Sequence, residues 1–305
     1  MSNITLNNKV MCKWKKNSDD LFIKNKKPKI MKFKCNNNYI NPIGLIWDNH
    51  NFSCAYDSLF TILYNIWNSN HIRWSNFFSN TSIPLYILNE GLNMYKNDII
   101  SFEDVRDNVR QYLNKQNHIL FPYGSVGMNI TDLAFFLCKT SKSIYKTIYE
   151  CIYCNISTET TTNLSYYIDL QRSDLNITNT DNIVHILQRL FHKCLSRNCD
   201  KCNKSLYKNT YCLNTAELLI LHLPYSDINI NMTFELNSNI YELKGIVYYG
   251  DNHYTSCIIL ENQYIWYHDG IQTGRNMLFH EIVSSTSRLN KYNNKNAVLY
   301  IYTHK

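Results

Sequence analysis

Three residues far apart in the chain, Cys54, His253 and Asp269, could together carry out thiol chemistry. A cysteine is nucleophilic as its thiolate, a histidine can take and return a proton near neutral pH, and a carboxylate can fix which ring nitrogen carries that proton. Cys54 follows the polar, turn-prone stretch Asn49-His50-Asn51-Phe52-Ser53, and beyond it Leu59, Phe60, Ile62, Leu63, Ile66 and Trp67 recur on one broad helical face. The cysteine therefore stands where a buried helix begins, and the unpaired N–H groups of such an end favour ionisation of a thiol. On this stretch alone Cys54 reads as one more packed cysteine, and only a base elsewhere makes it a nucleophile.

A candidate base lies far downstream. His253 sits in the turn Gly250-Asp251-Asn252-His253 at the mouth of a strand running to Leu260, and the next strand, Tyr264-Ile265-Trp266-Tyr267, ends in His268-Asp269-Gly270. Neighbouring antiparallel strands bring the start of one beside the end of the other, so His253 and Asp269 can meet at the sheet edge. The carboxylate would orient the imidazole and leave its second nitrogen to accept the Cys54 proton. Any single histidine among 10 reads as a surface or capping residue; the combination with Cys54 points to catalysis. His268 reads as a strand-end residue, not a second base.

A second chemistry is written in Cys151-Ile152-Tyr153-Cys154 and Cys199-Asp200-Lys201-Cys202, with the 44 residues 155–198 between them. Each Cys-x-x-Cys presents two thiolates on a tight turn, and two of them complete a tetrahedral shell for Zn²⁺. A closed shell of four cysteines leaves no open coordination position, so the zinc is expected to be structural, tying together the ends of a long β excursion. Cys194 and Cys212 could substitute for a ligand. A thioredoxin-like redox role would need a strand–helix setting that neither pair has.

These groups must be positioned by a scaffold, and the patterning describes one. Residues 1–38 are basic and Asn-rich without sustained periodicity, and read as a solvated extension; they hold much of the excess behind the net charge of +7. Pro42 and Gly44 mark a turn ahead of the nucleophile helix. Ser101 can cap a helix in which Val105, Val109 and Leu113 share a face, an ordinary amphipathic scaffold element. Phe121 to Gly127 reads as a loop, and Ile130 to Cys138 as another apolar helix entry. From Ile144 short segments rich in Ile, Tyr and Thr suggest strands to about Thr180, followed by a helix near Ile183 to Phe191. Further strands are expected at residues 218–223, 243–249, 254–260, 264–267 and 297–302. Helices thus precede an antiparallel sheet in an α+β arrangement.

At 305 residues and 45% hydrophobic content the chain can bury a large core. It lacks an uninterrupted apolar stretch of membrane-spanning length, and Met1 to Thr5 lacks the apolar core of a signal peptide, so an intracellular protein of the cytoplasm or nucleus is expected. With 11 cysteines in a reducing compartment, metal ligands, nucleophiles or core packing are favoured over disulfides.

The order of cysteine box, cysteine-paired insertion, His-Tyr-Thr and Trp-Tyr-x-Asp resembles the ubiquitin-specific protease family of papain-like cysteine isopeptidases. The resemblance spans about Gly44 to Tyr302 and rests on Asn49 to Leu59, Asp104 to Leu137, Cys151 to Thr161, Cys199 to Leu223 and Tyr241 to Asp269. It implies a helical thumb over about 39–143, zinc-tied β fingers over about 144–217 and an antiparallel palm over about 218–305. It also implies Cys54 as nucleophile, His253 as general base and then acid, Asp269 as its orienter and Asn49 as the oxyanion-stabilising amide. The family's usual Gly-Asn-Thr-Cys is Asn51-Phe52-Ser53-Cys54 here, Asp57 replaces its asparagine, and the acid follows Trp266 by three residues where four are usual. Trp47-Asp48-Asn49 looks closer to the related SUMO isopeptidase. The implied activity is removal of ubiquitin or a SUMO-like modifier from lysine side chains. A catalytically silent modifier-binding module is the alternative. Nucleic-acid binding is disfavoured because basic and aromatic residues are not interleaved around the cysteine pairs.

Overall fold

The computed structural model of the chain describes residues 42–141, 144–163, 165–170, 182–212, 216–223, 228–260, 264–282 and 289–305. The basic extension read over residues 1–38 lies outside them. Five helices come first: α1 (Cys54–Ser69), α2 (His71–Thr81), α3 (Ile83–Lys96), α4 (Phe102–Gln116) and α5 (Ile130–Cys138). Every apolar position expected on the α1 face, from Leu59 to Trp67, is buried. α4 begins with a reciprocal capping box, in which Ser101 Oγ accepts from Asp104 N at 3.1 Å and Asp104 Oδ2 accepts from Ser101 N at 2.9 Å. The two helices missing from the sequence reading, α2 and α3, are poor in regular apolar spacing and carry Asn, Ser and Pro84. They are held by caps on Asn70 and Ser82 and by burial of Trp74, Phe78, Leu85, Leu88 and Leu92.

The strands fall into two sheets. β1 (Tyr145–Cys151), β2 (Ile156–Asn163), β4 (His192–Asn198) and β5 (Ser205–Cys212) form a four-stranded antiparallel sheet in the order β2-β1-β5-β4. The larger sheet has nine strands. Its main path runs β11 (Leu278–Ile282), β10 (Tyr264–His268), β9 (His253–Ile259), β8 (Asn239–Gly250), β13 (Lys295–His304), β6 (Leu218–His222) and β3 (Tyr167–Asp169), with β7 (Thr233–Leu236) on β8 and β12 (Lys291–Tyr292) on β13. Among the described residues all its pairings are antiparallel except that of β3 with β6, where Tyr167 pairs with Ile220 in a parallel register.

Alternation along the central strands explains why both faces of the large sheet are covered. Leu218, Ile220, Leu299 and Ile301 join the apolar cluster beneath α1 to α5, while Leu219, Leu221, Tyr300 and Tyr302 join a second cluster with α6 (Ile183–Phe191) on the opposite face. α1 packs directly over β9 and β8. Gly245 on β8 permits that approach, since a Cβ there would lie 2.5 Å from Ile62 Cγ2. The architecture is α+β, as read from the sequence. Among the described residues no helix is long and apolar enough to cross a membrane.

Candidate active site

The turn between β8 and β9 fixes the position of His253. Asp251 and Asn252 both take positive φ (52° and 56°), the backbone of a tight two-residue hairpin turn that Asp and Asn tolerate. His253 thereby becomes the first residue of β9, paired with Gly250. On its other side β9 pairs with β10 in a register that sets His268 opposite Ser256, so the residue after β10, Asp269, reaches the start of β9. His253 Nε2 and Asp269 Oδ1 meet at 2.9 Å. An ionised carboxylate only accepts, so Nε2 carries the proton and, in the neutral ring, Nδ1 remains as the acceptor.

Asp269 is itself fixed. Its side chain is 1% exposed, its Oδ1 also accepts from Ile271 N at 3.0 Å and Gln272 N at 3.3 Å, and its own N–H donates to Thr273 Oγ1. Burial works to raise the Asp269 carboxyl, but the hydrogen bond and charge of His253 and these backbone N–H groups hold it below the ordinary carboxylate value. His268, beside it, is buried and donates Nε2 to Gly274 O at 3.0 Å. Its ring lies against Gly44, where a Cβ would come within 2.1 Å of it. Burial lowers its basicity. It serves as a strand-end packing group, as expected.

Cys54 opens α1, which packs over β9, and the backbone N–H of Tyr254, the residue after His253, favours its thiolate. The N–H groups of Ala55 and of Cys54 itself also favour the thiolate, as a helix start should. Burial nevertheless dominates, and with the nearby Asp57 charge it pushes the thiol up to about 11. Burial thus works against the ionisation that the helix end favours. Asn49 is exposed on the turn five positions earlier, and its side chain makes no hydrogen bond to the described residues.

The sequence reading missed what lies beneath this turn. Ser53, at the N-cap, makes no capping bond; its Oγ donates to Asp57 Oδ2 at 2.6 Å and accepts from Asp48 N at 2.8 Å. Arg106 of α4 reaches Asp57 Oδ1 at 2.9 Å, Ser53 Oγ at 3.3 Å and Ile46 O at 2.8 Å. Burial pushes the Asp57 carboxyl up to about 7, against the pull of Arg106 and Ser53. One signal was available: Arg106 and Arg110 stand four apart in a helix, each directly after a core-facing valine, Val105 and Val109. Phe52 takes φ 42°, a left-handed conformation that costs a non-glycine residue about 1–3 kcal/mol and persists only where its surroundings enforce it.

The four cysteines sit together in the small sheet. Cys151 ends β1 ahead of the turn into β2, and Cys199 and Cys202 lie in the turn from β4 to β5, so pairing of β1 with β5 brings both turns to one end. Their sulfurs all lie within 4.8 Å of one another, with Cys151 to Cys202 at 3.4 Å and Cys154 to Cys199 at 4.0 Å. A tetrahedron of sulfurs about 2.3 Å from a central Zn²⁺ has edges of about 3.8 Å, so the arrangement fits and could hold a structural zinc.

No family model matches the chain, and no curated protein matches it. Solved structures do. A chain of the SAGA DUB module Ubp8/Sgf11/Sus1/Sgf73 bound to monoubiquitin superposes with a TM-score of 0.54 and 17% identity, over 86% of this chain and 69% of that one. A chain of the yeast SAGA DUB module with a mutated Sgf73 gives a TM-score of 0.48 and 17% identity, over 86% and 68%. At such identity the first of these likenesses is one of fold, and the fold it shares is the α+β arrangement described above.

Proposed function

We propose that this chain is a thiol-dependent isopeptidase, a deubiquitinase that removes ubiquitin or a ubiquitin-like modifier from lysine side chains. The observation that carries the reading is the 2.9 Å bond between His253 and Asp269 at the start of β9, the strand over which the helix opened by Cys54 packs. The shared fold with a module bound to monoubiquitin supports the choice of substrate class.

In this mechanism His253 Nδ1 takes the Cys54 proton as the sulfur attacks the carbonyl carbon of the modifier's C-terminal glycine. The transfer accompanies attack because burial keeps the resting thiol protonated. Asn49 donates its amide to the oxyanion that develops, a type of contact that contributes about 2.7–4 kcal/mol. The carbon–nitrogen bond breaks, the imidazolium protonates the departing lysine amine, and a thioester remains on Cys54. Water, deprotonated by His253, hydrolyses it and restores the thiol. Asp269 orients the ring throughout. Residues of about 39–143 act as the thumb, about 144–217 as fingers around the four cysteines, and about 218–305 as the palm; the protein works inside the cell, in cytoplasm or nucleus.

Wild-type protein and Cys54→Ala are to be compared on fluorogenic conjugates of ubiquitin and of SUMO. Cleavage of at least one, lost in Cys54→Ala, is the expected result and identifies the modifier; no turnover of any conjugate contradicts the proposal. The upward-shifted Cys54 thiol favours one second reading, a modifier-binding module without catalysis. It predicts binding with no turnover, unchanged by Cys54→Ala.

A further inference from the structure

The catalytic reading leaves a second arginine of α4 unused. Arg110 is 1% exposed, and among the described residues no carboxylate pairs with it. Its guanidinium carbon lies 5.2 Å from the centre of the Tyr56 ring and 4.8 Å from that of Tyr123. Nε and Nη1 have no hydrogen-bond partner among the described residues. Nη2 donates to the carbonyl oxygens of Asn51 and, at 3.1 Å, of Pro122. A buried cation so short of partners is costly, and what it does grip is therefore informative.

Asn51 is the lead-in to the nucleophile. Its Oδ1 accepts from Gly124 N at 3.0 Å, its Nδ2 donates to Asp48 Oδ2 at 2.8 Å, and the residue after it is Phe52, at φ 42°. The Phe52 ring stacks on Trp47 at 6.1 Å. An aromatic residue resists that backbone region and stays there only when held.

We propose that Arg110 is a positioning residue for the nucleophile: seated between Tyr56 and Tyr123, it holds the Asn51 carbonyl and so keeps Phe52 in the left-handed turn that sets Cys54 relative to Asn49. The inference rests on the reading of Cys54 as nucleophile. Arg110 touches no reacting atom and acts through the Asn51–Phe52 peptide. The loop of Pro122 to Gly124 completes the clamp from the other side, which accounts for a segment that the sequence marks only as a loop.

The test is a rescue experiment on the full chain. Arg110→Met removes charge and donors, and is expected to lower kcat at least tenfold with KM held within about threefold. Phe52→Gly accepts positive φ without strain, and in the Arg110→Met background it is expected to restore kcat to within about threefold of wild type. An unchanged kcat in Arg110→Met, or a loss that Phe52→Gly does not repair, overturns the proposal. Should Arg110→Met fail to fold, Arg110→Gln is judged by the same criteria, with thermal melting as the control. Alkylation of Cys54 by iodoacetamide needs no conjugate and separates the two readings. A rate altered in Arg110→Met and returned by Phe52→Gly, in a protein whose wild type cleaves nothing, sinks the isopeptidase and keeps the clamp. An unaltered rate in such a protein sinks both.

Discussion

Arg106 and Asp57 form an ion pair of 2.9 Å in which both side chains are 3% exposed, joining α4 to the first turn of the helix that Cys54 opens. Breaking such a pair from one side leaves a buried charge short of its partner. At pH 8, above the point to which burial pushes Asp57, Asp57→Ala is expected to cost roughly 3–5 kcal/mol of unfolding free energy. Asp57→Asn, which keeps an acceptor for Arg106, should cost less. Urea unfolding of the two variants checks the order, and equal losses would show that the pair is not what holds the turn.

The bond between His253 and Asp269 makes stability depend on acid. Because the folded Asp269 carboxyl is held below its unfolded value of about 3.9, its contribution is complete above that value and is lost as pH falls through the lower folded one. The stability gap between wild type and Asp269→Ala should be constant from pH 5 to 6 and close below about pH 4. A gap unchanged down to pH 2 would contradict the assignment of charge.

Burial of Cys54 predicts a late alkylation profile. A thiol pushed up to about 11 should react with iodoacetamide at a rate still rising beyond pH 10, whereas a free cysteine levels off past about 8.5. A plateau below pH 8 would mean that the helix end and His253 overcome burial after all. Mass spectrometry restricted to the Cys54 peptide keeps the other thiols out of the measurement.

Four sulfurs in near-tetrahedral spacing predict about one zinc per chain. Cys199→Ser or a strong chelator should remove most of it and speed hydrogen exchange in β1, β2, β4 and β5, while β9 and β13 keep their protection. Full metal content in Cys199→Ser would show that these cysteines are not the ligands.

Features fixed by local chemistry were legible in the sequence. The cap at Ser101, the apolar face of α1, the helix Ile183–Phe191, the paired cysteines and the turn ahead of His253 each carry their signal within a dozen residues. The approach of Asp269 to His253 was readable too, because antiparallel pairing of β9 and β10 dictates it. What escaped depends on partners remote in the chain. α2 and α3 form where tertiary burial overrides weak periodicity, and β3 and β6 run parallel because the chain between them crosses over through α6, β4 and β5 and does not turn back as a hairpin. Asp57 looked like a substitution beside the nucleophile until Arg106, 49 positions away, supplied its charge. The helix end that favours a Cys54 thiolate was legible locally; the burial that opposes it was not.

Whether His253 serves Cys54 as a nucleophile is decided by incubating the folded protein with ubiquitin and SUMO bearing an electrophile in place of the C-terminal carboxylate. The expected product is a covalent adduct of one chain with one modifier, mapped to Cys54 and lost in His253→Ala as well as in Cys54→Ala. Absence of any adduct with protein shown to be folded, or an adduct formed equally well without His253, would contradict it.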